Sequence, residues 1–225
     1  MLFDIHIHTC FSPDCVSSPD RLLRAAKAKG LNAVAITDHN TIRGALETRE
    51  RNSDPEFQVI VGSEIATDAG DIIGLFLTEE ITSRVALDVI REIHDQQGLA
   101  LLPHPFQGQF PRDDIAVRVD LIETFNARSS PESNRKAAEL AQRLGKPAVC
   151  ASDAHFVSDV GTCTMMLLGD RDLRTALLRG ANMLHKNYTP RYRMPASQII
   201  KAWKTRTYRR IPLNAASMVK RLVMG

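Results

Sequence analysis

Short apolar runs recur along the chain at 3–7, 33–36, 59–62, 72–76, 99–102, 121–124, 148–151 and 164–168. Each is too short for a buried helix and is bounded by turn-forming or polar residues, which predicts strands. Between them, segments 19–29, 41–51, 83–97 and 131–144 carry their apolar positions at helical spacing. Ser18 is a suitable N-cap for the first, and Gly145 with Pro147 beyond it stops the last. Alternating strand and helix signals predict β-α units around parallel strands. About seven strands and a hairpin predict an irregular α/β barrel. No internal repeat, low-complexity tract or linker interrupts the pattern.

The residues able to carry chemistry fall at, or just after, the ends of these runs: His6 and His8, Asp38 and His39, Glu64, His104, Glu123, and Asp153 with His155. In a β-α barrel that end is the catalytic rim, because the loops leaving the strands converge there. In D-I-H-I-H-T the two histidines are two apart on a strand, so both imidazoles point to one face and can share a metal. An H-x-H opens several unrelated metallohydrolase families, the amidohydrolases among them. The choice narrows with A-I-T-D-H-N and S-D-A-H, which place a carboxylate and an imidazole together after an apolar strand. G-S-E-I, L-P-H-P and I-E-T-F-N add Glu64, His104 between two stiffening prolines, and Glu123.

Together with S-P-D, this ordered set resembles the PHP (polymerase and histidinol phosphatase) family over residues 3–155. The resemblance implies a distorted (βα)7 TIM-like barrel with a trinuclear metal centre. Carried over motif by motif, it gives His6, His8, Glu64 and Asp153 to a first metal. Glu64 bridges to a second that also takes His104 and Glu123, and Asp14, His39 and His155 hold a third. Family members carry Asp or His where Asp14 stands, and some carry His or Cys where Glu123 stands, so both positions add negative charge here. Asp38 is expected to orient an imidazole from behind rather than to bind metal. His94 and His185 fall outside every motif and receive no role.

Nine imidazole and carboxylate ligands suit three divalent ions, Zn, Mn or Fe, and an open site rather than a closed structural zinc site. Such a centre activates water and neutralises phosphate oxygens. Asp14, His39, Asp153 and His155 are the candidates for meeting charge on the leaving oxygen. Arg128, Arg112 and Asn126 are the candidates for holding the substrate, since a guanidinium matches two phosphate oxygens. The expected reaction is hydrolysis of phosphate esters, of nucleotides or short oligonucleotides by preference. A histidinol-phosphate-type phosphatase and a non-catalytic nucleic-acid-binding module are the alternatives. An amidohydrolase scheme calls for a metal-bridging lysine at a strand end; Glu64 stands in that place.

Charge divides the chain. Ten of the 29 Lys and Arg residues and none of the 26 acids lie in 186–225, so a body of net −7 precedes a tail of net +10. This predicts a barrel over 1–185 and a basic helical extension over 186–225 that packs on it. Ile199, Ile200 and Trp203, then Met218, Val219, Leu222 and Val223, read as anchoring stripes on two short helices. The charge also admits nucleic acid as a partner. Cys10, Cys15, Cys150 and Cys163 form no C-x-x-C pair or disulfide framework, and no apolar run is long enough to span a bilayer. The expectation is a cytoplasmic protein that does not engage membranes.

Overall fold

The computed structural model describes residues 1–108, 111–167, 172–180 and 182–223. Its strands are β1 (Leu2–Ile7), β2 (Ala33–Ile36), β3 (Gln58–Thr67), β4 (Gly70–Leu75), β5 (Leu99–Leu102), β6 (Leu121–Asn126), β7 (Ala148–Ala151), β8 (Cys163–Met166) and β9 (Asn182–Lys186). Its helices are α1 (Pro19–Ala28), α2 (Arg43–Arg51), α3 (Ala86–Asp95), α4 (Asp113–Ala116), α5 (Pro131–Leu144), α6 (Leu173–Arg179), α7 (Arg193–Lys204) and α8 (Ile211–Val223).

The strands form one sheet in the order β7-β6-β5-β4-β3-β2-β1-β8-β9. β1, β2 and β3 pair in parallel, as do β5, β6 and β7. β4 runs antiparallel to both neighbours, which joins the two parallel sets through a hairpin and distorts the barrel. The sheet curls until its ends meet: Ala154, just past β7, bridges Ile7, with His8 N–H donating to Ala154 O (2.9 Å) and Ala154 N–H to His6 O (3.2 Å).

Strand alternation divides the core into two layers. Phe3, Ile5, Ala33, Ala35, Ile60, Ile73, Leu101, Leu121 and Val149 pack together inside the barrel. Val34, Ile36, Val59, Val61, Ile72, Ala100 and Ile122 pack outward against the helices, including Leu22 and Ala26 of α1 and Val89 and Ile93 of α3.

The predicted strands and helices are present, with three additions and some shifted ends. α4, α6 and β9 carried no apolar signal strong enough to predict them. α3 starts at Ala86 rather than 83, because the Ser83 hydroxyl accepts from Val85 N–H (3.1 Å) and turns the chain first. The last predicted strand starts at Cys163 and ends at Met166; Leu168 lies outside the described residues.

The extension departs from its predicted stripes. α7 reaches the barrel through buried Ser197 and Ala202, while Trp203 is 64% exposed. On α8, Val219, Leu222 and Val223 are exposed, while Met218 and, on α7, Ile199 and Ile200 are half-buried. Polar contacts add to the docking. Lys204 Nζ donates to the carbonyls of Cys10 (2.7 Å), Ser12 (2.6 Å) and Cys15 (3.1 Å), and Arg128 Nη2 donates to Ser197 Oγ (2.8 Å).

Candidate metal centre

A bulge prepares the site. Pairing between β1 and β2 skips a residue between Asp4 and Ile7, so alternation breaks there. Phe3 and Ile5 belong to the interior layer and Ile7 to the helix-facing one. The skipped residue lets His6 turn inward beside Ile5, which unbroken alternation would forbid. β6 carries a similar shift between Glu123 and Phe125.

Four atoms meet at the mouth. His6 Nε2 stands 3.2 Å from His8 Nε2, 3.5 Å from Glu64 Oε2 and 3.7 Å from Asp153 Oδ1. His8 Nε2 is 3.4 Å from each of the same two oxygens. Donors arranged tetrahedrally at ~2.1 Å from a divalent ion stand roughly 3.4 Å apart. These five separations are therefore those of a ligand shell; hydrogen-bonded pairs would close to about 2.9 Å.

Two further groups adjoin this quartet. Asp14 Oδ2 lies 3.3 Å from His39 Nε2 and 3.3 Å from His155 Nε2, and His39 Nδ1 lies 3.0 Å from Glu64 Oε2. On the other side, His104 Nε2 is 2.9 Å from Glu64 Oε1, and Asp71 of β4 brings a carboxylate oxygen near both. Asp14 Oδ1 and His104 Nδ1 are buried without a hydrogen-bond partner among the described residues. A buried carboxylate oxygen with no donor is what a bound cation would satisfy, so the residues present fit metal ions.

The electrostatics agree. Burial, reinforced by the charges of His155 and His39, pushes His8 down to about 3, which leaves a neutral ring. Burial also opposes charge on His6, but Asp153, Glu64 and Glu123 outweigh it and hold that ring well above the ordinary histidine range. The same contest raises His104 to about 9, with Glu64 as the main opposing partner. Glu64 and Asp153 stay far below the usual carboxylate range despite burial, held there by His39 and His6 and by Arg128 and His6. The raised imidazoles thus hold protons that metal binding would displace.

A layer of hydrogen bonds fixes the rings. His8 Nδ1 meets Ser12 Oγ (3.0 Å), which itself donates to Asp38 Oδ1 (2.7 Å). Ser12 must then accept from His8 Nδ1–H, leaving the Nε2 lone pair for the quartet. Asp38 also accepts from Thr9 N–H (2.7 Å) and Thr9 Oγ1–H (2.6 Å). Gly44 is required behind it, since a Cβ there would stand 1.9 Å from Asp38 Oδ2. His6 Nδ1 donates to Glu123 Oε1 (3.1 Å), and Glu123 Oε2 accepts from His104 N–H (2.8 Å) and Asn126 Nδ2 (2.9 Å). Asp4 accepts from Ser152 Oγ (2.5 Å) and Gly161 N–H (2.9 Å), anchoring the turn before Asp153. His104 (φ 28°) and Asp153 (φ 50°) both sit in the left-handed region. Such backbone costs roughly 1–3 kcal/mol per residue and marks sites over-determined by their surroundings.

Eight of the nine predicted ligand residues thus meet in one cluster, and Glu123 stands behind it as the acceptor for His6 Nδ1 and His104 N–H. Asp38 stands behind His8 and acts on it through Ser12. Asn126 bonds Glu123 and Asp153. The Arg128 side chain is only 7% exposed, with Nη1 against His155 and 3.4 Å from Asp153 Oδ1. Arg112 is not brought in: it is exposed and pairs with Asp114 (2.7 Å). Sequence reading overlooked Thr9, Ser12, Asp71 and Lys204. Ser12 stood inside the quoted S-P-D motif, while Asp71 and Lys204 gave no local signal.

With this geometry in place, comparison with known proteins identifies the class. The PHP domain model matches residues 4–113, and the PHP-associated model matches 131–182. An uncharacterized protein of Methanocaldococcus jannaschii is 39% identical over 166 residues, covering 67% of this chain and 97% of its own. The chain belongs to the PHP domain family. A 5'-3' exoribonuclease of Haemophilus influenzae is 33% identical over 119 residues, 47% of this chain and 43% of that protein. Among solved structures, a two-domain protein of Bacteroides vulgatus containing a predicted PHP-like metal-dependent phosphoesterase superposes with TM-score 0.69 at 21% identity, over 83% of this chain and 65% of that one. That likeness establishes the fold. No described helix is long and apolar enough to cross a membrane.

Proposed function

We propose that this chain is a metal-dependent phosphoesterase that hydrolyses phosphate esters, of nucleotides or short oligonucleotides by preference, at a site for three divalent ions. The observation that carries the reading is the quartet of His6, His8, Glu64 and Asp153, whose donor atoms stand at ligand-shell spacing. His6, His8, Glu64 and Asp153 would hold one ion, Glu64, His104 and Glu123 a second, and Asp14, His39 and His155 a third. Glu123 would serve through lone pairs left on oxygens that already accept from His6, His104 and Asn126.

Bound divalent ions supply two things: a water acidified toward about pKa 7 and neutralisation of the phosphate oxygens. The chain's own residues do the rest. Asp38, through Ser12, keeps His8 Nε2 free of a proton. Arg128 presents a cation beside Asp153 and His155, where an incoming phosphate would lie. Asp14, His39 and His155 would place either the third ion or, without it, a shared proton where charge develops on the leaving oxygen. The partial likeness to an exoribonuclease supports the nucleotide preference.

The test is phosphate release from nucleotides, short oligonucleotides and histidinol phosphate with added Mn or Zn. Release from the first two but not the third supports the reading. Release from histidinol phosphate alone would replace the substrate class.

A further inference from the structure

α7 and α8 pack together as a helical hairpin, and α8 carries more apolar surface than this chain uses. At about 3.6 residues per turn, Ile211, Ala215 and Met218 fall on one flank of α8, and Pro212, Leu213, Ala216, Val219 and Val223 fall on the next. The first flank is half-buried. The second faces solvent, with Leu213 76%, Val219 56% and Val223 82% exposed. One apolar flank is enough to dock a helix on its own chain; the other is left without a partner among the described residues.

Every charge on the same hairpin is positive. Arg206, Arg209 and Arg210 between the helices, and Lys220 and Arg221 on α8, are exposed, and none pairs with a carboxylate among the described residues. Segment 186–225 contains no acid at all. Trp203 and Tyr208 add two exposed aromatic rings of the kind that settle where an apolar layer meets water. A second copy of the hairpin would set cation against cation across a twofold axis. A nucleic acid would satisfy the cations but leave Leu213, Val219 and Val223 in water. An anionic lipid surface meets both demands, because its headgroups take the cations while the apolar flank enters the interface. Lys220, at the edge of that flank, has a stem long enough to lift its ammonium out of the apolar layer.

We infer that the α7–α8 hairpin is a docking surface for anionic lipid membranes, with α8 lying flat, Leu213, Ala216, Val219 and Val223 in the interface and the arginines on the headgroups. The expectation from sequence of no membrane contact rested on the length needed to span a bilayer, and a helix lying on the surface needs no such length. The hairpin lies beyond the residues matched by either family model, so the docking is a property of this chain's extension. It requires no metal and does not rest on the phosphoesterase reading.

The full-length protein is mixed with vesicles of phosphatidylcholine alone, or of phosphatidylcholine with phosphatidylglycerol, and bound protein is separated by flotation. Trp203 is the one tryptophan of the chain, so its emission reports on the hairpin directly. Protein should float with the anionic vesicles and not with the neutral ones, and the emission should shift to the blue with the anionic vesicles alone. The triple variant Leu213→Ser, Val219→Ser, Val223→Ser and the double variant Arg209→Ala, Arg210→Ala should each lose roughly tenfold or more in vesicle affinity. Both should melt as the parent does, since all five side chains are exposed. No binding to anionic vesicles, or binding that survives the triple variant, overturns the inference. Without vesicle binding, short RNA held by the parent and lost in the arginine variant alone gives the surface to nucleic acid instead. A dimer that the triple variant dissolves, again without vesicle binding, gives it to a second copy of the chain.

Discussion

The barrel mouth and the C-terminal extension treat charge in opposite ways. At the mouth, histidines and carboxylates are buried within 3.2–3.7 Å of one another and are held by hydrogen bonds from behind. In the extension, Lys204 and Ser197 add polar contacts with the barrel while apolar side chains such as Leu213 (76% exposed) and Val223 (82%) face outward. An apolar stripe shows that a helix is amphipathic; it does not show what the helix faces. Buried charge is more telling, because an unpaired ionised group inside a protein is too costly to keep without a purpose.

The contrast makes graded expectations. The largest effect belongs to Glu64, whose two oxygens contact four histidines. Glu64→Gln should abolish metal binding, read by elemental analysis of the purified protein, whereas a similar change at exposed Glu132 should leave it intact. Retained metal in Glu64→Gln would break the contrast at its centre.

Next comes pH. His104 is raised to about 9 in the metal-free fold, so its ion pair with Glu64 contributes stability fully below about 6.5 and loses it as pH rises through about 9. Metal-free protein should therefore melt at lower temperature as pH rises over that window, by at most about 3 kcal/mol. Metal affinity should move the other way, since ligation needs the deprotonated ring. Thermal melts with and without Zn across pH 6 to 9 check both signs.

Ser12→Ala removes the acceptor that fixes the His8 ring, and should cost about 10–100-fold in metal affinity with the fold intact, as measured by competition with a chelator. On the extension side, Lys204→Met deletes three charge-assisted bonds to the segment that carries Ser12 and Asp14. Each such bond is worth about 1.5–3 kcal/mol, so amide exchange should quicken in 10–15 while the strands stay protected. The smallest effect is at Arg112, where Ala should change neither metal content nor turnover; a clear loss would return it to the site.

How much of this was legible beforehand follows the same division. The strand ends could be read because apolar runs stop at His6, Asp38, Glu64, Glu123 and Asp153, and the motifs there carry their own order. What escaped were partners distant in sequence. Lys204 meets Cys10 across almost the whole chain, and Asp71 reaches the cluster only because β4 reverses beside β3. The inward turn of His6 depends on a bulge that an unbroken alternation hides. The extension misled in part because Trp203, Val219, Leu222 and Val223 were assigned to the barrel yet are exposed, whereas Ser197, Ala202 and Lys204 make contacts that carried no stripe signal.

The central claim is that the buried quartet holds metal for phosphate ester hydrolysis. The most direct measurement is phosphate release from nucleotide substrates by chelator-stripped protein, with and without Mn or Zn, beside a His6→Ala, His8→Ala double variant of equal fold. The account expects release that depends on added metal and is lost in the variant. Release unaffected by the chelator, or equal in the variant, would contradict it.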